Sequence, residues 1–433
     1  MKSVSSWGRL STKAHEITTI TGHDQAVEAI ATATRGSGIA HGMGRSYGDV
    51  CLNSSGRLWL TTALDRFISF NDKTGRLLCE SGVLLRDIQQ HFIPRGWMLP
   101  VTPGTQFVTV GGAIANDVHG KNHHRFGSFG DHIQWLKLLR TDTTIIECSP
   151  REQPHWFRAT VGGLGLTGVI LTVELQLRPI AGPWLSIETI PYRTLAEFFH
   201  LADTSAPDWE YTVSWINTLH QQSERGLFMR ANPIDLAYRQ EPRQRTITIP
   251  FIPPFSFVNR LSLRLFNAVY FYRNNKTTSK PIHYRPFFYP LDRVLKWNRI
   301  YGSRGFFQHQ CVIPREQGLD AIKELLAETA KSKSGSFLSV LKTFGSREAV
   351  GMMSFPKAGV TLSLDFPNRG NQTLNLLARL DKIVQYAGGR IYLAKDARMA
   401  RDVFRAGYPR LNEFSTFRDP GISSDLSRRL MGY

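Results

Sequence analysis

Residues 103–124 read PGTQFVTVGGAIANDVHGKNHH: two adjacent glycines, a run of small residues, then three histidines. A metal site would need His119 and His123 together, and their i, i+4 spacing converges only on a helix. Gly120, Gly127 and Gly130 stand among and after them and read as a loop, so no metal site is expected. Two further glycine-rich stretches flank this one, HGMGRSYGD at 41–49 and VGGLGLTGV at 161–169. The second contains Gly163-x-Gly165-x-x-Gly168, the spacing of a dinucleotide fingerprint, which works only between a preceding strand and a following helix. Here the order is reversed. PHWFRAT before it is helix-like, and in VILTVELQL after it Val169, Leu171, Val173, Leu175 and Leu177 share one face of a strand, opposite Thr172, Glu174 and Gln176. Backbone N–H groups in glycine-rich turns can instead form an anion-binding nest without a helix. Three such loops within 180 residues point to a large phosphate-bearing cofactor.

Around these loops the first 180 residues alternate short strands (RLWLTT, GRLLCESGV, TTIIECS) with helices (DQAVEAIATAT, RDIQQHFIPRG), an α+β texture. After Pro179 aromatic strands such as WEYTVSWINT and the helical GLDAIKELLAETAKS take over. Residues 238–292 combine prolines, aromatics and nine basic residues (Arg239, Arg243, Arg245, Arg260, Arg264, Arg273, Lys276, Lys280 and Arg285) with few acids, and read as a mobile basic and aromatic surface. From GGRIYLAKDARM onward the texture of the first part returns. A chain of 433 residues exceeds one ordinary core, so two domains, one interrupting the other, are expected. No apolar run is long enough to span a bilayer, and MKSVSSWGRLSTKAHEI lacks the apolar core of a secretory signal, which favours a cytoplasmic protein. Cys51, Cys79, Cys148 and Cys311 have no CxxC spacing and read as ordinary buried thiols. The formal charge of +18 attracts polyanions: nucleic acid, anionic lipid or a phosphorylated substrate. No zinc finger, recognition helix or RNP-like aromatic motif supports nucleic acid.

Together HGMGRSYGD, TPGTQFVTVGGAIANDVHGKNHH, GSFGDHI, ATVGGLGLTGVI and the late YLAKDAR resemble the vanillyl-alcohol-oxidase type of FAD-binding oxidoreductases, and within it the oxidase subunits of decaprenylphosphoryl-ribose 2'-epimerases. The likeness is specific in the N-terminal half and after Gly388, and loose between 180 and 300. It implies an α+β, two-part FAD-binding domain (1–181, rejoined by 391–433) with an inserted substrate domain on an antiparallel sheet (182–390). It places Gly42, Met43, Gly44, Arg45, Ser46, Tyr47 and Gly48, then Gly104, Thr109, Val110, Gly111, Gly112, Asn116, Asp117, Val118 and His119, and finally Ile170 and Tyr392 against FAD. Lys395 and Tyr47 become the residues for chemistry, with Lys395 offsetting the negative charge that a flavin gathers on accepting hydride; a solvated lysine beside Asp396 is the other reading. Lys121, Gln310 and Lys342 fall on the substrate side; otherwise Lys121 is a surface lysine, and Gln310 and Lys342 are plain polar residues on strand edges. Many members attach the flavin to a histidine of the first loop. Tyr47 stands there, which implies non-covalent FAD. Ser363 in SLDFP replaces a cysteine that relatives can carry.

The implied reaction removes hydride from a secondary alcohol of a ribose carried on a polyprenyl phosphate, with a separate short-chain reductase completing epimerisation to arabinose. Oxidation of a soluble alditol or aldonolactone is the alternative. The basic aromatic stretch favours the lipid-linked substrate and peripheral attachment to an anionic membrane surface, at the inner face of the plasma membrane.

Overall fold

The computed structural model describes residues 1–219, 224–236, 245–332, 335–336 and 338–432. Two sheets come from the glycine-rich first part. In one, Thr12–Thr19 and Gly38–His41 flank Arg57–Leu60 in parallel, and Lys2–Ser5 adds antiparallel to the outer edge. The other is antiparallel, in the order Phe67–Asn71, Arg76–Glu80, Val169–Gln176, Ile133–Leu139 and Ile145–Cys148. The alternation of residues 169–177 predicts a half-buried strand, but Ile170 and Thr172 are buried as well as Val169, Leu171 and Val173. It is the central strand of its sheet, and a register shift between Ile170 and Thr172 breaks the alternation: Val169 and Leu171 pack in one core cluster with Ala26 and Ile30, whereas Val173, Leu175 and Leu177 pack in another with Ile170, which also lines the cavity. The Thr172 hydroxyl lies 3.2 Å from His23 Nε2. The helix Pro154–Thr160 precedes this strand, the reverse of a dinucleotide fold.

From Trp184 to Ile391 the chain builds one eight-stranded, wholly antiparallel sheet, in the order Thr278–His283, Trp184–Tyr192, Gly226–Ile234, Tyr211–Ile216, Ser339–Phe344, Gly359–Pro367, Phe306–Ile313 and Arg390–Ile391. Strand side chains alternate faces, and this sheet divides them cleanly. Ile216, Phe228, Cys311, Leu362 and Leu364 join the core beneath the helices Leu195–Ser205, Arg315–Lys331 and Asn371–Tyr386. The other face is left to the functional site.

After Ile391 the chain returns to the first part. Ile422 bridges Gly38, Asp425 accepts from the Ser54 amide and hydroxyl, and the Arg429 guanidinium joins Asp49 and Asp396, each at 2.9 Å.

The stretch expected to be a mobile surface is more ordered than its composition implies. Arg260–Arg273 forms a helix capped by the Asn259 side chain, and Thr278–His283 is an edge strand of the large sheet. Tyr284, Phe287, Phe288 and Tyr289 belong to a buried cluster with Leu185 and Val213, so these aromatics are core. Phe251, Phe255, Phe257, Leu261 and Leu265 remain exposed. Arg239 and Arg243 lie outside the described residues.

Candidate active site

Between the open face of the large sheet and the glycine-rich loops lies a cavity of about 1010 Å³. Loop 41–47 contributes Gly42, Met43, Gly44, Arg45, Ser46 and Tyr47; the 103–124 stretch contributes Gly104, Thr109, Gly111, Gly112, Asn116, Val118, His119 and Lys121; Ile170, Gln310, Lys342, Tyr392 and Lys395 complete the predicted set. Three predicted residues do not line it. Gly48 packs on the Asp396 carbonyl, where a Cβ would stand 1.5 Å from oxygen. Val110 is a core residue under the second sheet. The Asp117 carboxylate turns away, accepting from the Ser128 hydroxyl and the Gly130 amide.

Local chemistry shapes the loops. Thr109 caps the short helix Val110–Ala115 by accepting from the Gly112 amide, so the stretch read as turns contains one helical segment. Gly42 sits so close that a Cβ would be 2.5 Å from the Thr109 hydroxyl, which fastens the first loop to the second. A Cβ on Gly104 would meet nothing. The histidines expected in a loop divide: His123–Phe126 is a single helical turn, with His123 against Phe344 at 4.5 Å and His124 Nε2 2.9 Å from the Trp209 carbonyl. Among the described residues no three His, Cys, Asp or Glu are grouped to hold a metal ion.

Register orders the sheet side of the cavity by polarity. Thr189, Met229 and Val213 face one another across three strands, and Leu227, Trp215, Val340, Ser363 and Gln310 across five. Lys342 pairs with Thr361 and Gln308 with Asp365. Gln310 and Lys342 thus stand on interior strands, not on the edges that their sequence context suggested. One half of this face is apolar. The other half presents amides, hydroxyls and a lysine.

Beside the polar half, cations gather. Lys121 donates to the Phe287 carbonyl, Lys342 to that of Gly120 at 3.0 Å, and the Lys395 ammonium lies 3.7 Å from the centre of the Tyr47 ring. Burial pushes all three down, Lys121 and Lys395 to about 7 and Lys342 to about 8; Asp365 holds Lys395 up in part, and Lys342 lowers the other two further. Asp396 is not the partner of Lys395. Its carboxylate serves Arg429 and the amides of Arg398 and Met399. Burial and the lysine charges keep His119 well below the usual imidazole range, hence neutral. The Gln310 amide nitrogen lies 3.0 Å from His119 Nε2, which makes Nε2 the acceptor and leaves the proton on Nδ1.

Asp365 is the residue that sequence reading missed. It is fully buried behind Gln308, whose amide it accepts at 2.5 Å, and burial raises its carboxyl to about 7 despite the opposing charge of Lys395. In the sequence SLDFP only its distance of two from Ser363, which marks the same strand face, could have signalled it.

Several polar atoms at the cavity wall are buried without a protein partner: Ser81 Oγ, Asn116 Oδ1, His119 Nδ1 and Arg45 Nε. The Arg45 guanidinium stacks at 4.2 Å over Trp7 and 5.3 Å from Phe107. Orphaned donors and acceptors of this kind are costly unless a ligand satisfies them, and the set suits a heteroaromatic ring with imide edges joined to a diphosphate.

Comparison with known proteins agrees. Residues 19–149 match an FAD-binding domain family. Over 99% of this chain and 97% of its own length, decaprenylphosphoryl-beta-D-ribose oxidase of Mycolicibacterium smegmatis is 32% identical. An uncharacterized protein in the mprA 5' region of Streptomyces coelicolor is 31% identical over 80% of the chain and all of its own length. The L-gulonolactone oxidase of Mus musculus is 30% identical over 34% of the chain and 33% of its own. With a full-length relative at this identity and an FAD-binding domain over the loops that wall the cavity, the chain belongs to the decaprenylphosphoryl-β-D-ribose oxidase family of FAD-dependent oxidoreductases.

Proposed function

We propose that this chain oxidises the 2'-hydroxyl of a polyprenylphosphoryl ribose to a ketone, the first half of an epimerisation to arabinose that a short-chain reductase completes. The observation that carries this reading is the single sheet face on which an apolar half runs into a lysine-bearing polar half beside the cofactor loops. A soluble lactone or alditol would need only the polar half.

In this reading residues 1–181 and 391–433 hold FAD and residues 182–390 form the substrate domain. FAD supplies the hydride acceptor. Gly42 to Tyr47 with Gly104, Thr109, Gly111, Gly112, Asn116, Val118 and His119 would hold it, Arg45 offering its guanidinium to the phosphates and Ser81, Asn116 and His119 offering their unpartnered polar atoms to the ring, with Ile170 and Tyr392 completing the wall. Lys121 and Lys342 orient the substrate phosphate, and Gln310 its sugar. Lys395, whose ammonium burial disfavours, takes the hydroxyl proton and is left as an ammonium where negative charge collects, an electrostatic effect of oxyanion-hole type. Tyr47 fixes that lysine by lending its ring face. Burial holds the Tyr47 phenol well above its ordinary value, so it is a poor nucleophile and FAD stays non-covalent.

No described helix is long and apolar enough to cross a membrane. Attachment to the inner, anionic face of the plasma membrane is instead assigned to the exposed side of residues 245–280, where Leu261, Leu265 and Phe255 are 77%, 67% and 66% exposed among Arg260, Arg264, Arg273 and Lys276.

Anaerobic mixing with a prenylphosphoryl ribose should bleach the flavin absorbance, and L-gulonolactone should not; the opposite pattern overturns the assignment. Acid precipitation should leave the flavin in the supernatant. Flavin retained on the denatured chain would refute non-covalent binding.

A further inference from the structure

The apolar half of the cavity has a floor, a roof and a mouth. Ile187, Thr189, Val213, Leu227 and Met229 make the floor from three adjacent strands. The roof is the helix Arg260–Arg273, which presents Phe266 and Tyr270 to the same space. Three contacts hold the helix over the sheet: Tyr270 edge-on to Trp215 with ring centres 5.2 Å apart, the Asn267 amide donating to Asn217 at 3.0 Å, and the Arg225 guanidinium 4.7 Å from the centre of the Phe271 ring. A helix packed directly on a sheet would bury a full apolar stripe, yet only Leu263 and Asn267 of this one are buried. Space therefore remains beneath it. At the edge strand the lining reaches Lys280, which is exposed, and Asn274 just beyond the helix; this is the mouth, next to the helix side that carries exposed Leu265, Val269 and Tyr272.

The inner end of this space meets the polar half directly. The Thr212 amide, adjacent to Val213, donates to the Lys121 carbonyl at 2.8 Å. Val340, opposite Trp215, is two residues from Lys342 on the same strand face, a step of about 7 Å. An apolar passage that ends on two lysines and opens beside an exposed apolar helix face has the polarity sequence of a prenyl phosphate: chain, phosphate, polar head.

We propose that the first isoprene units of the substrate thread beneath helix Arg260–Arg273, over Val213, Leu227 and Met229, so that the lipid leaves at Lys280 while its phosphate stays at Lys121 and Lys342. This rests on the proposed function for the identity of the head group, and adds where the chain runs. Because the roof helix is also the exposed apolar element, the lipid passes from bilayer to catalytic cavity without its apolar carbons crossing water.

The test is binding of farnesyl phosphate, isopentenyl phosphate and inorganic phosphate to the FAD-loaded protein by calorimetry. Burial of even a part of its ten further carbons should make farnesyl phosphate bind at least about 100-fold more tightly than isopentenyl phosphate. Met229→Trp and, separately, Thr189→Phe fill the passage; with FAD content and melting temperature retained, each should erase that advantage and leave isopentenyl phosphate affinity unchanged. Equal affinity for the two prenyl phosphates, or an advantage that survives in whichever filled variant keeps its FAD, overturns the proposal. The two readings fail separately. A chain-length effect with no flavin bleaching by any prenylphosphoryl ribose keeps the passage and removes the proposed reaction. Bleaching with the same KM for five- and fifteen-carbon chains keeps the reaction and removes the passage.

Discussion

The loop 103–124 and the stretch 245–292 both concentrate conspicuous side chains, and the fold uses them in opposite ways. In the first, cations and imidazoles are drawn inward: Lys121 joins Lys342 and Lys395 around the cavity, and burial lowers all three. In the second, arginines and apolar side chains share an outward helix face. A charge inside acts through the local field, which low polarity amplifies; a charge outside acts through what it docks to, and salt weakens it. The same residue types therefore predict different experiments in the two places.

The sharpest break is inside. Lys395→Ala should keep its FAD and its fold but slow substrate-driven flavin reduction by about two to three orders of magnitude, the usual cost of one preorganised charge in a transition state. Stopped-flow bleaching measures it, and a variant within threefold of the parent removes Lys395 from the chemistry.

Outside, replacing Leu261 and Leu265 by Asp should weaken attachment to anionic liposomes by about a hundredfold, roughly tenfold for each partly buried leucine, with flavin reduction by a water-dispersed short-chain substrate unchanged. Sedimentation with anionic and neutral vesicles is the measurement. Indifference of the parent protein to both vesicle types would make these leucines a surface for something other than lipid.

A smaller effect tests the residue that links the sheet to the lysines. Asp365 supports the charge on Lys395, so Asp365→Asn should lower the Lys395 value further and move the limb of the pH–rate profile that reports it to lower pH. Because Lys395 acts as the base, a displacement of one unit would raise the rate about tenfold below the limb and change it little above. An unshifted profile with a uniformly lower rate would make Asp365 a packing residue.

Legibility in the sequence followed how far each residue's partner lay along the chain. The cofactor loops were readable because a glycine that lets Thr109 or a diphosphate approach is a local requirement, and Gly42, Gly104 and Gly112 all reach the cavity. Val110 and Asp117 sit beside such residues yet point away, since a helical turn and a tight turn rotate neighbours by different amounts. Asp365 was unreadable for a different reason: its partner Gln308 comes from an adjacent strand 57 residues away, and register is a tertiary fact. The 245–292 stretch misled by composition. Tyr284, Phe287 and Phe288 found a core while Phe255 and Leu261 did not, and a count of aromatics cannot separate the two.

The smallest predicted effect concerns the protein without FAD, where the inward lysines should leave a mark on stability. Their values of about 7, 8 and 7 lie below the roughly 10.4 of an unfolded chain, so above pH 7 the unfolded state binds more protons and stability must rise with pH. Asp365, raised to about 7, has the opposite slope, but only below pH 7. The thiols Cys51, Cys148 and Cys311, pushed up to about 12 by desolvation, and Cys79, pushed up likewise, begin to oppose the lysines once unfolded thiols ionise near pH 8.5. The rise is therefore confined to about pH 7 to 8.5 and should amount to a few degrees in melting temperature. Lys342→Met should flatten it by removing both one lowered lysine and the charge that lowers Lys121 and Lys395. Bound FAD should flatten it too, because its diphosphate restores a counter-charge to the cavity. A melting temperature that falls across this window in the FAD-free parent would mean that the three ammonium groups are better solvated than the cavity geometry implies, and the contrast between inward and outward cations would lose its physical basis.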